Sequence, residues 1–265
     1  MIKFYRIIRQ RLITENKFSK YLLYAIGEII LVVGGILIAV SINNGNEDRK
    51  ARKQEVKYLQ NLQTDIALEF ENNDRIINYR AATAKAAARI LDFKILETGS
   101  DLLALERNIQ QVFARKNFIP TNNTYKELLN SGNLNYITND SIKDYLLELD
   151  KKYVSIGNHE YHMYREYEEY LYNVTALNGE SLNFLDIQKI ATTGTMAFKD
   201  LSQIPIKTVI PEYNKLLVKT EFINGLKLAV MNNIGLKNSH GKMTNQLQKL
   251  NALIHSDLNI YGNDD

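Results

Sequence analysis

Residues Tyr21–Ile42 read YLLYAIGEIILVVGGILIAVSI, and these twenty-two positions hold one charge, Glu28. At about 1.5 Å per residue a helix of this length runs roughly 33 Å, enough to cross a hydrocarbon core of ~30 Å. No other part of the chain stays apolar over a comparable length. The stretch predicts a single-pass membrane protein, with a basic segment before the span and a soluble, helical segment after it.

The 265 residues include three prolines (Pro120, Pro205 and Pro211), 13 glycines and no cysteine. So few helix breakers predict long helices. The absence of thiols excludes a disulfide framework and a thiolate metal site. The net charge is +3, but residues 1–20 alone hold +5, from Lys3, Arg6, Arg9, Arg11, Lys17 and Lys20 against Glu15; residues 43–265 sum to −1. A nucleic-acid binder carries its basic excess on the folded part, so nucleic acid is not an expected partner. Lipid is. Residues 1–13, MIKFYRIIRQRLI, space Phe4, Ile8 and Leu12 on one helical face, with Lys3, Arg6, Arg9 and Arg11 placed to meet anionic headgroups. A disordered basic tail held by charge alone is the other reading.

Orientation follows the Lys/Arg balance at the two ends of the span. Six such residues precede it, and Arg49, Lys50, Arg52, Lys53 and Lys57 follow it. The bias places the N-terminus in the cytoplasm and the C-terminal domain across the membrane. Ala39-Val40-Ser41 also fits the small-residue cleavage site of a signal peptide. The length of the apolar run and the glutamate inside it argue instead for an uncleaved anchor.

Glu15-Asn16-Lys17-Phe18-Ser19-Lys20-Tyr21-Leu22-Leu23-Tyr24-Ala25-Ile26-Gly27-Glu28, followed by Gly35-Ile36-Leu37-Ile38-Ala39 and Ile42-Asn43-Asn44, resembles the opening of a domain-of-unknown-function family, number 6090, of single-pass membrane proteins from Gram-negative bacteria. The resemblance is specific over residues 1–50 and reappears at Tyr125–Leu134, YKELLNSGNL. It implies an uncleaved anchor in the bacterial inner membrane and a helical periplasmic domain, and it brings no activity. Gly34 and Gly45 depart from the pattern, which has a branched aliphatic residue and a tryptophan there. The second departure removes an interfacial anchor.

Glu28 lies eight residues inside Lys20, about 12 Å below that end of the span. A carboxylate at such depth is costly and marks a functional position by default. Tyr24, Gly35 and Ala39 share its helical face, and Gly35-x-x-x-Ala39 is a small-xxx-small pattern that lets two helices approach closely. Self-association, or pairing with another membrane protein through Tyr24, Glu28, Gly35 and Ala39, is the coherent reading. The bland alternative is a glutamate that reaches the interface through local thinning of the bilayer.

Beyond the span, Arg49 to Leu96 contains no Pro or Gly. Apolar or small residues at Val56, Leu59, Leu62, Ile66, Phe70, Ile77, Ala81, Ala84, Ala88, Leu91 and Ile95 step by three and four, with one skip at Asn73. That predicts a stalk running into a first bundle helix. Gly99-Ser100 is read as its end and as the cap of a helix over Asp101–Arg115, and Thr124-Tyr-Lys-Glu127 as a capping box. Asn139 or Asp140 caps the clearest helix, whose seam is Ile142, Leu146, Leu149, Tyr153, Ile156, Glu160, Met163, Tyr167, Tyr170, Val174 and Leu177. Its one polar member, Glu160, is expected to set register. Tyr161, Tyr164, Tyr167, Tyr170 and Tyr172 read as packing under a neighbouring helix, or as a partner surface. Residues 180–210 read as irregular, with helical pieces near Leu185 and Phe198. Pro211 is expected at the first turn of a last helix with a break near Gly235 to Gly241.

His159, Glu160 and His162 lack the i, i+4 histidine spacing of a zincin helix, and no phosphate loop, nucleophile elbow or calcium loop is present. The sequence therefore predicts an all-α protein with no metal or cofactor. Its parts are a basic cytoplasmic tail (1–20), a transmembrane helix (21–42), a stalk and first bundle helix (43–97), an antiparallel bundle (98–257) and a frayed tip (258–265). A non-enzymatic scaffold, sensor or accessory subunit is the expected role. A proton-coupled energy-transducing subunit that uses Glu28 is the alternative.

Overall fold

The computed structural model describes residues 18–178, 184–195 and 197–261. The expected headgroup contacts Lys3, Arg6, Arg9 and Arg11 lie outside the described residues. The chain divides into two compact units, 1–57 and 58–265. Helix α1, Phe18–Asp92, contributes to both.

In the first unit α1 is long and apolar enough to cross a membrane, the property also of a signal sequence. Leu23 is 73% exposed and Leu31 77%. Of the side chains described from Leu22 to Ile42, only Ala25 and Gly34 are even half-buried.

In the second unit the buried face of α1 steps through Leu59, Leu62, Ile66, Glu69, Asn73, Ile76, Arg80, Thr83, Ala87 and Ile90. The spacing is three and four throughout. The apolar reading loses this phase at Asn73 and resumes it one residue late: Ile77 is only half-buried, Ala88 is exposed, and Ile95 is 60% exposed. Four polar residues complete the seam, and a count of apolar residues passes over them.

The chain then returns along α1. Helix α2, Gly99–Phe113, is capped by Thr98, whose hydroxyl accepts from Asp101 N–H while the Asp101 carboxylate accepts from Thr98 N–H. This box, rather than Gly99-Ser100, starts the helix. The extended segment after it has backbone polar groups that need partners, and side chains of α1 between Asp65 and Arg80 supply several of them. Tyr79 donates to Ala114 O and Arg80 to Lys116 O, Asn72 donates to Ile119 O, Glu69 accepts from Thr121 N and Asp65 from Thr124 N. Helix α3, Asn123–Asn130, therefore has its N-terminus held by Asp65 of α1 and not by the expected box at Thr124 and Glu127. Gly132, at φ +71°, closes α3 in the left-handed region that suits glycine. A 3-10 turn, Asn133–Tyr136, leads on.

Helix α4, Asp140–Tyr167, starts at an Asn139 cap that accepts from Ser141 N–H. Its seam is buried as predicted from Ile142 to Tyr167. A π-helical turn, Glu168–Tyr172, then inserts an extra residue, and the buried positions become Leu171 and Thr175 in place of Tyr170 and Val174. Helix α5, Asn173–Asn178, continues it. Residues Leu185 and Phe198, expected in helical pieces, form an antiparallel bridge around the short helix α6, Ile187–Thr193. A 3-10 turn, Leu201–Gln203, precedes helix α7, Ile206–Leu217, and Pro211 sits inside α7 instead of in its first turn.

Helix α8, Thr220–Tyr261, runs unbroken through Gly235 and Gly241. Its buried residues, Phe222, Leu226, Ala229, Asn233, Leu236, His240, Met243, Leu247, Leu250, Ile254 and Asp257, alternate four and three along its length. Pairings set the helix directions. Asn73 meets His240 and Arg80 meets Asn233, so α8 is antiparallel to α1. Asn139 meets Asp257 and Tyr167 meets Asn233, so α8 is antiparallel to α4 as well. The fold is all-α, an antiparallel bundle in the second unit.

Candidate functional site

Three arrangements carry the polar chemistry. The first surrounds Arg80, which is 1% exposed. Its Nη2 donates to Glu160 Oε1 at 2.5 Å and to Lys116 O at 2.8 Å, and its Nη1 reaches Asn233 Oδ1 at 3.4 Å. Both Glu160 oxygens also accept from Phe118 N–H, at 3.1 and 3.2 Å. One guanidinium thus joins α1, α4, α8 and the connecting segment. Burial pushes the Glu160 carboxyl up, and the Arg80 charge and the Phe118 N–H pull it back. Glu160 was legible as the odd member of its seam. Arg80 was not, because its partners come from three distant segments.

Around this pair, Asn233 Nδ2 donates to Tyr167 OH at 2.8 Å, and His240 Nδ1 pairs with Asn73 Oδ1 at 2.6 Å. Burial, then the nearby Arg80 charge, lowers the His240 pKa to about 4, so its ring is neutral at ordinary pH. The tyrosines clamp the returning segment. Tyr164 OH donates to Lys116 O at 2.8 Å, Tyr172 OH donates to Phe113 O at 3.2 Å, and the Arg115 guanidinium lies 4.4 Å from the Tyr164 ring centre. Tyr161 points away and is 68% exposed. His159 turns to Asn232 and His162 to Glu166. Among the described residues no group of three or more His, Cys, Asp or Glu is placed to hold a metal ion.

The second arrangement is a cleft of about 250 Å³ lined by Leu103, Glu106, Arg107, Phe184, Phe198 and Lys199 among others. Glu106 on α2 is buried, accepts a hydrogen bond from Tyr213 OH of α7, and has its pKa raised to about 7 by burial. Neither Glu106 nor the cleft has a sequence signature: Glu106 reads as one more charged residue on an amphipathic helix.

The third is the face of α1 in the first unit. Glu28, Gly35 and Ala39 are exposed, and a Cβ added at Gly35 would meet nothing within 4 Å. The helix brings them onto one face by its geometry alone. Tyr24 lies in the same helix, with its side chain outside the described residues.

A family model, described as a family of unknown function (DUF6090), matches residues 28–210. The chain belongs to that family. The DUF6090 match begins at Glu28 and ends inside α7: it takes in residues 28–42 of the span, α2 to α6 and the Tyr125–Leu134 stretch, and it leaves out residues 1–27, where the Glu15–Gly27 part of the sequence resemblance lies. No curated protein and no solved structure matches the chain. Within the DUF6090 region lie Glu28, Gly35, Ala39, Arg80, Glu106 and Glu160, whereas Asn233 and His240 of α8 lie beyond it.

Proposed function

We propose that this DUF6090 protein is a membrane-anchored, non-enzymatic helical protein that serves as a scaffold, sensor or accessory subunit. The observation that carries the reading is the first unit's helix, with a full span's length of apolar side chains left exposed. Burial of apolar surface is worth ~25 cal/mol per Å². A bilayer supplies that burial. The Lys/Arg bias orients the span with the tail cytoplasmic and the bundle periplasmic, across a bacterial inner membrane. The face formed by Tyr24, Glu28, Gly35 and Ala39 is the contact for a second copy or another membrane protein. The burial of the pairs at Arg80 and His240 between helices supports a packing role for them.

A reporter active only outside the cytoplasm, fused after Asp265, should be active, and the fusion should stay in the membrane fraction through an alkaline wash. Activity from a cytoplasm-only reporter at that position overturns the orientation. Release by the wash overturns the anchor. Single cysteines at positions 28, 31, 35 and 39 test the contact face: cross-linking at 31 as strong as at the other three would mean that no defined face exists.

A further inference from the structure

The cleft of about 250 Å³ has two sides. One is α2, which contributes Leu103, Glu106, Arg107 and Gln110. These positions step by three and four, so they form one stripe along the helix. The other side comes from the segments flanking α6, with Phe184, Phe198, Lys199 and Asp200. The bridge between Leu185 and Phe198 sets their register: Asp186 N–H donates to Ala197 O and Lys199 N–H to Phe184 O, both at 3.0 Å. Helix α7 braces both sides. The Tyr213 ring stands edge-on to Phe184 at 5.9 Å, and its hydroxyl donates to Glu106.

The lining is amphipathic. Leu103, Phe184 and Phe198 are apolar, and Phe198 keeps 44% of its surface open. Among the described residues the side chains of Arg107, Gln110 and Lys199 have no hydrogen bond or ion pair, so three donor groups are left over. Glu106 is buried, and burial raises its pKa to about 7, so at pH 6 it is mostly neutral. Asp200 then stands against two cations, which leaves one net positive charge on the lining. A guanidinium and an ammonium beside apolar walls suit a carboxylate attached to an apolar body. One net charge suits a monoanion better than a phosphoryl group of nearly two charges. The volume falls just below the ~300–1,000 Å³ of drug-sized sites, so the body is small.

We propose that this cleft binds a small monocarboxylate with an apolar body, its carboxylate taken by Arg107 and Lys199 and its body laid against Leu103, Phe184 and Phe198. Gln110 supplies a further N–H donor. The ligand bridges α2 and the segments flanking α6. The bundle thereby becomes the ligand-receiving part of a sensor, and the physiological meaning of the site rests on that reading.

The test is equilibrium dialysis at pH 6 of the full chain in detergent against protein-free micelles. The probes are phenylacetate and hexanoate, with phenylacetamide and phenethylamine as neutral and cationic counterparts. Phenylacetate or hexanoate should bind saturably. Phenylacetamide and phenethylamine should bind ~10-fold more weakly or worse, because neither offers a carboxylate to the two cations. Arg107→Glu should weaken carboxylate binding by ~10-fold or more, and Phe198→Ala by several-fold. Both side chains are exposed, so the fold survives their replacement. Lys227→Glu, an equal charge change at an exposed position of α8, should leave binding unchanged. No saturable binding of either carboxylate overturns the proposal. So does phenethylamine binding as tightly as phenylacetate, or an affinity that Arg107→Glu and Phe198→Ala both leave intact. Binding by a chain that the alkaline wash releases removes the anchor and leaves the site; a firmly anchored chain that binds nothing removes the site alone.

Discussion

Arg80 and Glu160 stand eighty positions apart in the chain and meet at 2.5 Å in the centre of the bundle, both almost wholly screened from solvent. Removing one partner of such a pair strands the other charge, which typically costs ~3–5 kcal/mol, whereas replacing both with apolar residues of similar volume is often neutral. Glu160→Leu should therefore destabilise the full chain strongly in denaturant unfolding, and the Arg80→Met/Glu160→Leu double variant should recover most of the loss. Equal stability of the single and double variants would show that the pair is not coupled.

Glu106 makes stability depend on pH. Its folded pKa, about 7, lies above the ordinary 4.5, so the folded state holds a proton that the unfolded state releases. Its contribution is complete below the unfolded value and is lost as pH rises through about 7. His240 works in the opposite sense. Its pKa of about 4 lies below the ordinary 6.5, so its contribution is complete above the unfolded value and is lost as pH falls towards 4. The two oppose one another between their unfolded values, and on the alkaline side of His240 the Glu106 effect is no longer offset by that histidine. Thermal midpoints of wild type should fall between about pH 6.5 and pH 8, and Glu106→Gln should flatten that slope. A slope unchanged in the variant would assign the dependence to another group.

Gly225 marks the closest approach of α8 to the π-helical turn. A Cβ there would lie 2.7 Å from Leu171 Cδ2 and 2.9 Å from Tyr170 Cβ. Gly225→Ala should cost ~1–3 kcal/mol by overpacking. Gly157→Ala is the control: it sits inside α4 with nothing within 4 Å of its Cβ, and should stabilise by ~0.5–1 kcal/mol. Denaturant unfolding of the two variants should move in opposite directions.

Helix content, the apolar span and the α4 seam up to Tyr167 were all legible from apolar spacing, because those positions depend on residues near in sequence. So was the Asn139 cap, which needs only the N–H of Ser141 two residues on. The phase of α1 beyond Asn73 was decided by tertiary structure. Glu69, Asn73, Arg80, Asn233 and His240 are buried because each finds a hydrogen-bonding partner far away in sequence, and a polar side chain is admitted to a core only when such a partner exists. The same holds for the start of α3, where a carboxylate of α1 takes the N–H that the local cap would have used. Apolar periodicity records which side chains avoid water. Which polar side chains join them is settled by three-dimensional pairing, and in this protein that pairing makes Arg80 and Glu106 the two groups with the most chemistry and the least sequence signal.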